Sequence, residues 1–124
     1  MKLKEKIVAQ LFLSVLILTS CSRNKDLKVS VKDSDTEFIF TAHYDRKKTV
    51  EVQQYVNKSL TPNRIFSDHE EDAEKDVKLT SGTTFHVEST PGDLLVKFNK
   101  EDNSNAAYQE MRELCQGIRE IVVD

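Results

Sequence analysis

Residues 7–18, IVAQLFLSVLIL, are the most apolar stretch of the chain, and they confine the folding unit to the residues beyond Cys21. Lys2, Lys4 and Lys6 come before the run, with Glu5 between them, and Leu18-Thr19-Ser20-Cys21 closes it. A membrane-spanning helix needs about 20 apolar residues; this run is shorter and contains Gln10. A basic start, a short apolar run and small residues follow the order of a secretory signal peptide. The expected division is residues 1–20 as signal peptide, 21–26 as tether and 27–124 as a single domain. A domain near 100 residues buries a real core with modest stability.

The residues around the cleavage point are more specific. Leu18-Thr19-Ser20 is a poor version of the A-x-A-like triplet of ordinary signal peptides. Leu18-Thr19-Ser20-Cys21 instead resembles the lipobox of bacterial lipoproteins, where a leucine, two small residues and a cysteine mark cleavage and lipidation. The resemblance implies a diacylglycerol thioether on Cys21 and an N-acyl chain, palmitate being the expected label. One acyl chain holds a protein marginally, and two or more hold it stably. The protein expected from this is membrane-anchored in the cell envelope. It faces the periplasm if the cell has two membranes, since only Asp26 is acidic in the SRNKD segment after Cys21. That segment is short and polar, so the domain would lie within about 20 Å of the membrane at the extended-chain limit.

Removing residues 1–20 takes away three lysines and one glutamate, which moves the formal charge from −3 to −5. An acidic domain argues against nucleic acid, which requires clustered Lys and Arg. It also argues against lying flat on an anionic membrane. With Cys21 carrying lipid, Cys115 has no intramolecular disulfide partner.

Period-two alternation in Leu27-Lys28-Val29-Ser30-Val31-Lys32 predicts a half-buried strand. Asp33-Ser34-Asp35 is a turn cluster, and residues 37–44, EFIFTAHY, read as a second strand forming an antiparallel hairpin with the first. Phe38, Phe40 and Ala42 share one face, and Ile39, Thr41 and His43 share the other. Thr49, Val52, Val56 and Leu60, with Asp45 as cap, predict an amphipathic helix over residues 46–60 that ends before Pro62. Ile65 and Phe66 are expected to plug the core edge.

Residues 68–76, DHEEDAEKD, are strongly charged and read as a solvated loop or a poorly ordered segment. Three short strands come next, at residues 77–79, 84–88 and 93–98, punctuated by Ser81-Gly82 and Pro91-Gly92. Ala107, Met111, Leu114, Ile118, Ile121 and Val122 recur at helical spacing after a cap at residues 102–104. Gly117 inside that helix costs about 1 kcal/mol relative to alanine, and close packing against the sheet is its expected reason. Cys115, on the flank of the apolar stripe, reads as a packing residue.

The fold class expected is α+β: a single antiparallel sheet of five strands with two helices on one face, in the order β-β-α-β-β-β-α. The other face is expected to be open and semi-polar, with Ser30, Thr41, His43, Thr84, His86, Glu88 and Lys97 on it.

Little in the chain carries recognisable chemistry. His43 and His86 fall on strands and share a sheet face. A two-histidine zinc site would need further ligands that the sequence does not supply, so both read as solvent-facing. The acidic run lacks the glycine a calcium loop needs at its tight turn. Glycine-rich phosphate loops and the G-x-S-x-G and H-E-x-x-H motifs are absent from the sequence. No cofactor, no metal and no catalysis are therefore expected. The expected role is a lipid-anchored binding or accessory module of the envelope, with Glu70, Glu71 and Asp72 as candidate partner-binding residues for a basic protein surface. A periplasmic inhibitor or immunity-type lipoprotein is a special case. A small-ligand carrier would need a cavity lined by Phe40, Phe85, Phe98 and Met111.

Overall fold

The computed structural model describes residues 27–68 and 71–124. The residues expected to form a signal peptide and a tether, Cys21 among them, lie outside the described residues. The elements run β1 (Lys28–Asp33), β2 (Glu37–His43), α1 (Thr49–Ser59), β3 (Ala73–Lys78), β4 (Thr84–Thr90), β5 (Asp93–Asn99) and α2 (Asn105–Val123). The strands form one antiparallel sheet in the order β1-β2-β5-β4-β3. The α+β class and the β-β-α-β-β-β-α order agree with the sequence reading.

Composition explains the order. β5 carries Leu94, Leu95, Val96 and Phe98 and lies at the centre, where both flanks are paired. The two edges, β1 (KVSVKD) and β3 (AEKDVK), are the charged strands. Edge charges discourage further strand pairing. After β2 the chain crosses to the far edge through α1. The β3-β4-β5 meander then brings β5 back beside β2.

One face of the sheet is buried except along β1, which is less buried than the expected half-buried strand because it is an edge: Val31 is 54% exposed and only Val29 packs partly against the core. Phe38, Phe40 and Ala42 of β2, Phe85 and Val87 of β4, and Leu94, Val96 and Phe98 of β5 form a single cluster with both helices. α1 contributes Val52 and Val56, and α2 contributes Ala107, Met111, Leu114, Cys115, Ile118 and Val122. Burying one such aliphatic or aromatic side chain contributes about 1.5–3 kcal/mol. Ile65 and Phe66 are buried as expected. Asn57 fixes them: its Oδ1 accepts from both of their amides, at 2.8 and 2.9 Å.

The caps lie close to where the sequence puts them. Asp45 accepts from the Lys47 amide, but the turn it caps, Arg46–Lys48, is 3-10, and the α-helix begins at Thr49. Ser104 accepts from the Ala107 amide and starts α2. At Pro91-Gly92 the glycine has φ +84°, and a Cβ there would sit 2.9 Å from the Tyr44 carbonyl oxygen. The turn therefore needs glycine for conformation and for space.

Two features differ from expectation. The run of residues 68–76 is not one solvated loop: β3 begins at Ala73, which is buried. Ala73, Lys75 and Val77 face the helices while Glu74 and Asp76 face outward, so period-two pairing with β4 absorbs the second half of the acidic run. Gly117 also has a different neighbour. A Cβ there would lie 1.8 Å from the Tyr55 hydroxyl and 2.4 Å from its ring, so the close approach is between the two helices and not against the sheet.

A charged knot ties the β1–β2 turn to α2. Lys100 Nζ donates to Asp33 Oδ1 at 2.6 Å and to the Ser34 carbonyl at 2.6 Å. The Tyr108 hydroxyl also donates to Asp33. The Tyr108 ring lies edge-on to Phe38 at 5.9 Å and beneath Lys100 at 4.6 Å. The hydrogen bond from Lys100, then that from Tyr108, holds the Asp33 carboxyl below its ordinary value of 3.8.

Overpacking costs about 1–3 kcal/mol, and alanine regains about 1 kcal/mol of helix propensity. Gly117→Ala should therefore lower stability by about 1 kcal/mol in denaturant melts. In a Tyr55→Ala background the same change should stabilise. Asp33 should respond to acid. A depressed folded pKa contributes stability above the ordinary value and loses it as pH falls through the folded value. Asp33→Asn should therefore lower the thermal midpoint at neutral pH. The gap to wild type should close on acidification below about pH 4; a gap that is constant with pH would refute the assignment.

Candidate functional site

The sheet face away from the helices is open, and pairing arranges its side chains in rows. One row reads Ser30, Thr41, Leu95, Glu88, Glu74 across the five strands, and the next reads Lys32, Ile39, Lys97, His86, Asp76. Ile39, Thr41 and Leu95 are half-buried in the middle, and charges flank them. The seven residues expected on this face all lie there.

The two histidines do not meet. His43 is opposite Asp93 of β5 and His86 is opposite Lys97, four residues further along that strand. Four residues of strand span about 13 Å, and β5 separates the two. His43 Nδ1 lies 2.6 Å from Asp93 Oδ1, with both side chains about half exposed.

His86 instead stands among carboxylates that β3 and β4 supply. Its Nδ1 lies 2.8 Å from Asp76 Oδ1, and its Nε2 lies 2.9 Å from Glu88 Oε2 and 4.0 Å from Glu74 Oε2. Asp76 is its direct cross-strand partner, while Glu74 pairs with Glu88. The hydrogen bond to Glu88, then that to Asp76, both accepted by the carboxylates, raises the His86 pKa above its ordinary 6.5. An imidazole nitrogen and two carboxylate oxygens, from His86, Glu74 and Glu88, lie within 4.8 Å of one another. Sequence reasoning misses Glu74 and Asp76 because the charge density around them reads as loop. The alternation of Ala73, Lys75 and Val77 with two acids is the signal that extends the strand back from Val77.

Of the candidate partner-binding residues, Glu71 and Asp72 are exposed just before β3, and Glu70, like its neighbour His69, lies outside the described residues. Glu71 also lines a groove of about 440 Å³ with Arg46, Gln53, Asn57 and Asp68. Cys21 lies outside the described residues. Cys115 is buried in α2, and burial pushes its thiol up to about 12, which keeps it protonated and unreactive at neutral pH. Phe40, Phe85, Phe98 and Met111 all belong to the packed core, where they fill space between sheet and helices.

No family model, no curated protein and no solved structure matches the chain. No helix among the described residues is long and apolar enough to cross a membrane.

Proposed function

We propose that this is a lipid-anchored protein of the cell envelope that acts as a binding module through the acidic edge of its open sheet face. The observation that carries the binding part is the gathering of Glu71, Asp72, Glu74, Asp76 and Glu88 at the β3–β4 side of the sheet. Leu18-Thr19-Ser20-Cys21 and the short polar segment after it support the anchor. The partner this edge suits is a protein with a basic surface. Such pairs associate quickly and weaken with salt. An inhibitor or immunity-type lipoprotein is the same reading with an enzyme as the partner. A small-ligand carrier has less support, because the four side chains that would line its cavity are packed into the core.

The test has two arms in cells making the full chain. Labelling with a palmitate analogue should be lost in Cys21→Ser; persistent label would refute the anchor. Crosslinking in intact envelopes should recover a basic protein at low salt, and much less of it at high salt. Recovery should fall when Glu70→Gln, Glu71→Gln and Asp72→Asn are combined. Recovery that ignores both salt and the substitutions would refute the acidic edge as the contact.

A further inference from the structure

Glu74 and Glu88 are directly opposed on neighbouring antiparallel strands. Like charges in that position destabilise a sheet. Both reach toward one nitrogen, His86 Nε2, at 4.0 and 2.9 Å. The other nitrogen, Nδ1, already faces Asp76 at 2.8 Å. A neutral imidazole has one N–H. Protonated, His86 donates to Asp76 and Glu88 and is itself the cation of the cluster. Once Nε2 gives up its proton, with Nδ1–H still donated to Asp76, one imidazole nitrogen and two carboxylate oxygens are left converging as a donor set.

We propose that Glu74, His86 and Glu88 form a binding site for a divalent transition-metal ion, with Asp76 holding the imidazole in place. The donor set is one imidazole nitrogen and two carboxylate oxygens, which suits zinc and its first-row neighbours better than magnesium or calcium. Zinc bonds to such atoms are about 2.0–2.2 Å long, so ligand atoms in a tetrahedral shell lie about 3.4 Å apart. The 2.9 and 4.0 Å separations bracket that value. Small rotations of the two glutamates complete the shell, and these are open to the side chains, which are 73% and 45% exposed. A carboxylate hydrogen-bonded to the far nitrogen of a ligating histidine fixes its tautomer and orientation; Asp76 stands in that position.

Three protein ligands leave at least one position for water or for a donor from a partner. The charged groups facing the site are Glu74, Asp76 and Lys78 from β3, Glu88 from β4 and Lys97 from β5. The three carboxylates outnumber the two lysines, and Lys78 is paired across from Thr84, one row beyond His86. The site shares Glu74, Asp76 and Glu88 with the acidic edge proposed above, but it rests on the geometry around His86 and not on the anchor or on residues 70–72.

The experiment is a calorimetric titration of chelator-treated full-length protein in detergent with zinc chloride. Wild type should bind one zinc per chain at micromolar concentrations. His86→Gln should weaken binding at least about tenfold, and Asp76→Asn by about 10-fold or more. His43→Gln and His69→Gln should leave it unchanged. Glu74→Gln provides a variant that does not touch the core. It should weaken zinc binding while the metal-free thermal midpoint stays the same or rises, since the opposed glutamates no longer repel. The proposal is overturned if wild type shows no saturable binding, if folded His86→Gln and Glu74→Gln bind like wild type, or if His69→Gln abolishes binding.

Discussion

The pairing of β2 with β5 holds this architecture together. Each side of the junction is local: β1 and β2 are a hairpin, and β3, β4 and β5 are a meander. Neither piece buries its apolar face alone, because an isolated hairpin is marginal and an apolar sheet face needs another layer packed on it. The β2–β5 register sets Phe38 beside Phe98, Phe40 beside Val96 and Ala42 beside Leu94. That creates a continuous apolar surface wide enough for two helices. A one-residue slip would turn all of these side chains toward solvent. The register is therefore set by the core, and the rows on the opposite face are a consequence of it.

How much of this is legible in the sequence depends on the range over which each signal acts. Alternation in β1 and β2, the Ser-Gly and Pro-Gly turns, the caps at Asp45 and Ser104 and the apolar stripe of α2 are all local, and each can be read from neighbouring residues. Strand order depends on which exposed backbone finds which partner, and no short window contains that. Charge is an unused clue: the two strands rich in Lys, Asp and Glu are the edges. The start of β3 is hidden for a different reason. Its outward acids make residues 68–76 look uniformly charged, and Ala73 is too small to mark an inward position by hydrophobicity alone.

The histidines show the same division. Their shared face follows from period-two counting, and their separation does not. Distance between residues on non-adjacent strands depends on register through an intervening strand, here β5, which places His43 opposite Asp93 and His86 opposite Lys97. The carboxylates nearest His86 come from β3 and from its own strand. Those of β3 reach it only because that strand extends back to Ala73.

The core also explains why Glu74 faces Glu88. Ala73 and Val77 must point toward the helices, so Glu74 and Asp76 must point away from them. Lys75 lies between those acids in sequence, but it projects to the opposite face, where it donates to the Ile65 carbonyl at 2.6 Å. The cation that β3 carries between its two acids is thus directed away from them by the same alternation that buries Ala73. A glutamine at position 74 would relieve the repulsion without disturbing any inward contact. Fold stability therefore does not require a carboxylate there; alternation alone is what turns Glu74 to the open face, where Glu88 and His86 stand.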